Sequence, residues 1–215
     1  MSEGPKARPE RRVPSDRERP TTRPSNNRAS GGGRVSEGPT TSTSPAPWLQ
    51  TLRVELREFV PADLPDLVRL DTDPRVMRYI AAGRPAAPAA VASALARFIA
   101  YPRLYPHLGV WRASRRDTGA FVGWFAFKYA GRAPDIEVGY RLVPGAWGNG
   151  YATEGAAALV DYGFDDLDLD RIIGVTHPGN RASQRVLLKA GLEDAGWGRY
   201  YDRRLRLFAA RNPYR

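Results

Sequence analysis

The spacing of apolar residues predicts a series of strands and helices from residue 48 onward. Leu52, Val54 and Leu56 repeat at every second position, the period of a strand with one buried face. Further strands are predicted over 108–112, 120–128, 135–142, 171–177 and 204–210, with a turn at Thr118-Gly119.

Helical spacing predicts that helices connect these strands. One begins soon after Pro61, where the residues at helical spacing are Leu64, Leu67, Val68 and Asp71. Asp73 as N-cap and Pro74 at the first helical position predict a second helix, and Gly191 ends another in "RASQRVLLKAG". Two more are predicted over 88–100 and 151–164, the latter with a face of small and apolar residues: Ala152, Ala156, Leu159, Val160 and Gly163. This order predicts a mixed α/β sheet with helices on its faces.

Residues 1–47 differ in composition from the rest of the chain. They are rich in Pro, Gly, Ser, Thr and Arg and nearly lack large apolar residues, as in "SGGGR" and "PTTSTSPAP". Such a segment cannot bury enough apolar surface to offset its ordering entropy. We therefore expect a disordered basic leader over 1–47 and a single folded domain over 48–215. A basic anchor for the ribosome or nucleic acid is the alternative interpretation of the leader, which we favour less.

Charge and rare residue types exclude several function classes. The net charge of +10 is spread over both parts of the chain. Residues 1–47 hold nine Lys/Arg and five Asp/Glu, a net charge of +4, which leaves +6 for residues 48–215. The chain has no cysteine, which excludes disulfides, thiolate metal sites and a cysteine nucleophile. With two histidines, His107 and His177, we expect no metal centre. The absence of a run of about 20 apolar residues and the polar amino terminus predict a cytoplasmic protein without a membrane partner.

The segment "GAWGNGYATEG", residues 145–155, places Gly148 and Gly150 between a predicted strand and a predicted helix. The first-turn N–H groups of a helix are unpaired, and its dipole favours negative charge, so this bend could bind phosphates. It matches neither the P-loop spacing nor the dinucleotide G-x-G-x-x-G. On the residues alone, a phosphate cradle and a plain turn are evenly matched.

The longer segment "GYRLVPGAWGNGYATEG" resembles the pyrophosphate-binding motif of the GNAT superfamily of acyl-CoA-dependent N-acyltransferases. Gly150 and Ala152 match the motif's small residues, and Trp147 stands at its Arg/Gln position. The tryptophan form, followed by "YATE", is similar to the RimJ/RimL-like subfamily, the ribosomal-protein N-terminal acetyltransferases. The segments "TLRVELREFVPADLPDLVRLDTDPRVMRY", "HPGNRASQRVLLKAGL" and "LRLFAA" extend the resemblance over residues 52–211.

The resemblance implies a GNAT fold and a reaction. The fold would be a mixed, mostly antiparallel sheet of about seven strands, flanked by helices and splayed to form an acyl-CoA slot. Acetyl-CoA would be the co-substrate, with no metal. The acceptor would be an amine, either a protein N-terminus, ribosomal for example, or a small molecule, and a homodimer is compatible with the family. A catalytically silent acyl-CoA-binding module and a ribosome- or nucleic-acid-binding adaptor remain as alternatives.

The resemblance also assigns residues that bind acetyl-CoA. Pantetheine would pair with the strand before the motif, and the pyrophosphate would bind backbone amides of the motif, with Thr153 helping to order it. These positions are Val138, Tyr140, Leu142, Val143, Trp147, Gly148, Asn149, Gly150, Tyr151, Ala152 and Thr153. Asn180 would position pantetheine or backbone, or would simply cap the helix that follows it.

Two residues are assigned to the chemistry. Glu137 is predicted to be the base that takes the amine proton, usually through water; the alternative is a surface glutamate paired with Arg132 or Arg141. Many family members protonate the thiolate with a tyrosine, but that position is Leu187 here. We therefore assign Ser183 as the hydrogen-bond donor to the sulfur, with satisfaction of the first helical turn as its alternative. His177 is placed outside the site.

Overall fold

The structure is a computed structural model that describes residues 45–131 and 133–215. The predicted leader lies outside this part of the chain, apart from residues 45–47, which have no regular secondary structure. The strands are β1 (Leu49–Gln50), β2 (Val54–Glu58), β3 (Gly109–Arg115), β4 (Phe121–Tyr129), β5 (Ile136–Leu142), β6 (Arg171–Thr176), β7 (Glu193–Tyr200) and β8 (Arg203–Arg211). The α-helices are α1 (Leu64–Asp71), α2 (Pro74–Met77), α3 (Pro88–Leu104), α4 (Tyr151–Asp165) and α5 (Arg181–Lys189). None of the helices described is long and apolar enough to cross a membrane.

The described strands form one sheet in the order β1-β2-β3-β4-β5-β6-β8-β7. Every neighbouring pair is antiparallel except β5 and β6, which α4 connects as a parallel crossover. These two strands pair at Ile136↔Ile172 and Glu137↔Ile173 and not beyond, although β5 continues to Leu142. The two strands therefore diverge beyond Glu137. The predicted mixed, mostly antiparallel sheet with a splayed slot is confirmed.

Helices cover both faces of the sheet. On one face, Phe125 and Phe127 of β4 lie in the same core as Leu159 of α4. Two glycines allow α4 to approach the sheet closely. A Cβ at Gly155 would lie 2.4 Å from Phe125 Cζ, and a Cβ at Gly163 would lie 2.6 Å from Ile172 Cδ1. This agrees with the predicted small-residue face. The residues of the opposite core come from β3, β4 and the helices α1 to α3: Val110, Ala126, Leu67, Leu70, Val76, Val91 and Leu95.

Several predicted boundaries were wrong. Leu52 is 84% exposed and lies before β2, which begins at Val54. Helix α3 continues past residue 100 to Leu104, with Pro102 inside it. Neither β1 nor β7 was recognised. β1 has only two residues, and β7, "EDAGWGRY", is a mostly exposed edge strand whose glycines and charges conceal any apolar alternation.

Candidate active site

The bend before α4 has a backbone conformation that favours glycine at two positions. Gly148 and Gly150 have φ of 77° and 82°, and Gly150 is the N-cap of α4. A Cβ at Gly148 would meet nothing within 4 Å, so this side of the loop is open.

The backbone amides of the bend form a cradle, defined as residues 148–153. The amide of Trp147 is already engaged, because it donates to Pro144 O (3.1 Å). Within the described residues, the next amide with a hydrogen-bond acceptor is that of Glu154, which donates to Gly150 O (3.0 Å). The N–H groups between them, which have no acceptor among residues 45–131 and 133–215, belong to Gly148, Asn149, Gly150, Tyr151, Ala152 and Thr153. A pyrophosphate can accept hydrogen bonds from such a run, so the cradle fits the phosphates of acetyl-CoA.

Arg53 and Glu154 fix the cradle to the sheet. Glu154 Oε1 accepts from Thr51 Oγ1 (2.6 Å) and from the Arg53 amide (2.7 Å), while Oε2 accepts from Arg53 Nε (2.7 Å). Arg53 Nη1 also donates to Asn149 O (3.0 Å). Burial opposes the charge of Glu154, but the hydrogen bonds from Thr51 and Arg53 outweigh it, so its pKa lies below the usual value. The sequence does not reveal this tie, because its partners lie about a hundred positions away.

Trp147 closes the loop against the end of β5. Its indole N–H donates to Leu142 O (2.9 Å), and the residue remains 48% exposed. Asn149 Nδ2 in turn donates to Trp147 O (3.0 Å). The following residue of the strand, Val143, donates its amide to Val122 O (3.0 Å).

Strand β5 forms one wall of the slot. The side chains of Val138 and Leu142 are buried in the core beneath α4, and that of Tyr140 packs against the same core. Since β5 has no register with β6 beyond Glu137, the edge of its backbone facing β6 is left for a ligand. An extended pantetheine arm can pair with such an edge.

A phenol and a hydroxyl meet in the slot. Tyr140 of β5 donates its O–H to Ser183 O (3.1 Å), and the two hydroxyl oxygens lie 3.0 Å apart. Burial raises the pKa of Tyr140 well above its usual value, which keeps the phenol protonated. Asn180 is the N-cap of α5, where its Oδ1 accepts from the Ser183 amide (3.1 Å). The phenol beside Ser183 thus belongs to β5, while Leu187 of α5 is buried.

Glu137 lies at the closed end of the slot, on the last register pair of β5 and β6, and is 7% exposed. Its Oε2 accepts from Lys128 Nζ (3.2 Å) and from the phenol of Tyr201, and Lys128 Nζ also donates to that phenol oxygen (2.6 Å). Burial and the charge of Glu137 raise the pKa of Tyr201, so the phenol donates. The alternative interpretation of Glu137, a surface glutamate paired with Arg141, does not hold, because Glu137 is buried and Arg141 pairs with Asp71 (2.6 Å). The other partner in that alternative, Arg132, lies outside the described residues.

His177 follows β6, on the far side of the slot. Its ring stacks on Tyr79 at a centroid distance of 5.2 Å, and Nδ1 accepts from the Gly179 amide (3.0 Å). The described residues contain no cluster of three or more metal-ligating side chains.

Comparison with known families identifies the fold and the class of reaction. Residues 53–193 match the family described as the acetyltransferase (GNAT) domain. The chain belongs to the GNAT acetyltransferases. It is therefore an acetyl-CoA-dependent N-acetyltransferase whose acceptor is an amine, and the predicted family, enzyme class and co-substrate are confirmed.

Two relatives are similar over most of this GNAT domain. The FsC-acetyl coenzyme A-N(2)-transacetylase of Aspergillus fumigatus is 34% identical over 161 residues, which cover 68% of this chain and 65% of that protein. The uncharacterised N-acetyltransferase YoaA of Bacillus subtilis is 34% identical over 158 residues, which cover 72% of this chain and 88% of that protein. The match therefore spans slightly less than two thirds of the Aspergillus relative.

Solved structures share the fold. An acetyltransferase from Agrobacterium tumefaciens superposes with a TM-score of 0.68 at 25% identity, covering 80% of this chain and 99% of that one. Aminoglycoside acetyltransferase AAC(6′)-Ib in complex with coenzyme A gives 0.61 at 19% identity, covering 74% and 94%. The ribosomal-protein-S5-alanine acetyltransferase of Vibrio fischeri gives 0.59 at 17%, covering 77% and 96%. At these last two identities the likeness shows the fold alone.

Proposed function

We propose that this GNAT enzyme acetylates a primary amine that is delivered to Glu137 at the closed end of the slot. The observation that supports this is the position of Glu137: a buried carboxylate lies where β5 and β6 part, and the cradle lies past the other end of β5. A base there would be close to a thioester held along the diverging backbone.

The donor side consists mainly of backbone. The amides of the cradle would bind the pyrophosphate, and the edge of β5 from Val138 to Leu142 would pair with pantetheine. Acetyl-CoA supplies an activated acetyl group as a thioester. The role of these residues is to fix its carbonyl in an orientation that a neutral amine can attack.

The acceptor side supplies the proton transfers. Glu137 accepts a proton from the amine, directly or through water, while the new N–C bond forms. The C–S bond then breaks and leaves a thiolate. The hydroxyls of Ser183 and Tyr140 form a pair in the slot, and we assign Ser183 as the donor to that sulfur, supported by Tyr140. Lys128 and Tyr201 hold Glu137 in place.

The acceptor is an amine nitrogen, and the name of the Aspergillus relative, an N(2)-transacetylase, is consistent with this. The finer RimJ/RimL-like assignment, with a protein N-terminus as acceptor, stays a prediction. Its structural support is a ribosomal-protein acetyltransferase of the same fold at 17% identity, and fold does not select a substrate.

The test is release of free thiol from acetyl-CoA by the full-length protein, measured with a panel of primary amines, peptide N-termini and amino acids. We expect at least one class to raise thiol release well above the rate without acceptor. A protein that binds acetyl-CoA but shows no acceptor-dependent release with any amine would be a silent binding module, and the proposal would fail.

A further inference from the structure

A cavity of about 690 Å³ lies beside the β4–β5 connection, at the opposite end of β5 from the cradle. It lies between the end of α3, the end of β4, the β4–β5 connection and the β7–β8 turn. Its described lining residues are Tyr101, Tyr105, Lys128, Tyr129, Gly131, Ala133, Pro134 and Tyr201. Lys128 and Tyr201 are also the two residues that bond to Glu137. The volume is within the usual range for small-molecule sites.

Tyrosine rings form the walls of this cavity. Tyr101 and Tyr105 are 4.8 Å apart between ring centroids, and Tyr105 meets Tyr129 edge-on at 5.3 Å. The Tyr129 amide donates to the Tyr101 phenol oxygen (3.1 Å), which fixes these rings to the end of β4. Such walls favour a ligand with a flat, apolar body.

The charges at the inner end of the cavity are adjacent and opposite. Among the lining residues that the structure describes, Lys128 carries the charge, and its ammonium lies 3.2 Å from Glu137 Oε2. The two side chains are 25% and 10% exposed, so their charges are only weakly screened. An acceptor that places an ammonium near Glu137 and an anion near Lys128 would complement both groups. An α-amino acid has this arrangement, because one carbon separates its amine from its carboxylate.

We propose that the acceptor is an aromatic α-amino acid, an inference that rests on the proposed function. The carboxylate of this amino acid binds Lys128 while its amine faces Glu137. Polycationic amines are disfavoured, because a second positive charge would approach the Lys128 ammonium. A peptide N-terminus is disfavoured as well, since a neutral amide stands where the free amino acid has its carboxylate.

The experiment compares phenylalanine with phenethylamine and phenylalaninamide, which retain the ring and the amine but lack the carboxylate. The kcat/KM of the wild-type enzyme for phenylalanine should exceed that for either analogue by about ten- to a hundredfold, the usual value of a charge-assisted hydrogen bond. Lys128→Met should reduce this ratio to near one. The matched control is Lys189→Met, at the exposed end of α5, which should keep the ratio.

The outcomes separate the two proposals. Equal or better use of phenethylamine by the wild-type enzyme would overturn the amino-acid acceptor and leave the proposed acetyl transfer intact. Absence of transfer to every amine tested would overturn the proposed function. In that case, calorimetric titration with phenylalanine and phenethylamine still tests the cavity, and equal or absent binding of the two would overturn this inference too. Because the ratio is measured within each variant, a general loss of activity in Lys128→Met does not affect it.

Discussion

The proposed active site has two halves, the cradle and the tyrosine-lined cavity, and they are built in different ways. The cradle is a continuous stretch of backbone whose glycine conformations and free amides are local properties. The cavity and the Lys128–Glu137–Tyr201 cluster combine side chains from segments that are far apart in sequence. In the proposed site the donor would be bound by backbone groups, whereas the acceptor would be selected by side chains. Substrate specificity could then change on the cavity side without loss of acetyl-CoA binding.

The largest effect should come from Glu137→Gln, which removes the proposed base and keeps its shape. We expect kcat to fall by about 10²–10⁴-fold, the usual contribution of a general base. The dissociation constant for acetyl-CoA should be unchanged, because the cradle lies elsewhere. Single-turnover kinetics and calorimetry on the same sample would measure both. Equal loss of binding and turnover would show that the two regions are not separable.

Gly150→Val is the complementary change on the donor side. A β-branched residue is strained at φ 82° by about 1–3 kcal/mol, and the cradle must hold that conformation to bind phosphates. Affinity for acetyl-CoA should therefore fall by roughly five- to a hundredfold. Gly145→Ala is the control, since a Cβ there meets nothing within 4 Å. An unchanged affinity in Gly150→Val would mean that the bend is only a turn.

Ser183→Ala tests the point where the two halves meet. Loss of a hydrogen bond to a charged sulfur should lower the single-turnover rate about ten- to a hundredfold, with acetyl-CoA affinity nearly intact. Asn180 caps α5 through the backbone amide at 183, which alanine retains, so the melting temperature should change little. A less stable but fully active variant would assign Ser183 to the helix cap and leave Tyr140 or water to protonate the thiolate.

The smallest effect is expected for Glu154→Gln, which weakens the tie between cradle and sheet. The pKa of Glu154 is lower in the folded state than in the unfolded state, where it is about 4.3. The charged carboxylate therefore stabilises the fold at pH values above the unfolded-state pKa. This stabilisation is lost as the pH falls through the folded-state pKa. At pH 7 the variant should melt on the order of 2–4 °C below wild type. Below pH 4 the difference should shrink, which thermal melts at both pH values would show. A constant difference would indicate lost packing and not lost charge.

The sequence allowed prediction of what is local and of what resembles the family. The strand–bend–helix unit around Gly148 and Gly150 and the core strands follow from residue spacing. The partner of Glu137 does not, because it depends on the β4–β5 register that places Lys128 directly opposite. The contact between Tyr201 and Glu137 is even harder to predict from the sequence. Tyr201 lies in a turn, with a φ of 54°, directly after β7, and the composition of β7 does not indicate a strand.

The short β5–β6 pairing also affects how the protein partially unfolds. Only two register pairs join the sheet at that point, and on the C-terminal side β6, β8 and β7 form an antiparallel group. Such a group can detach as a cooperative unit with a lower free energy than global unfolding. Amide hydrogen exchange in β6 to β8 should then report one common free energy of opening. A ligand that bridges both walls of the slot would raise that free energy, so substrate binding would stabilise the sheet at its shortest strand pairing.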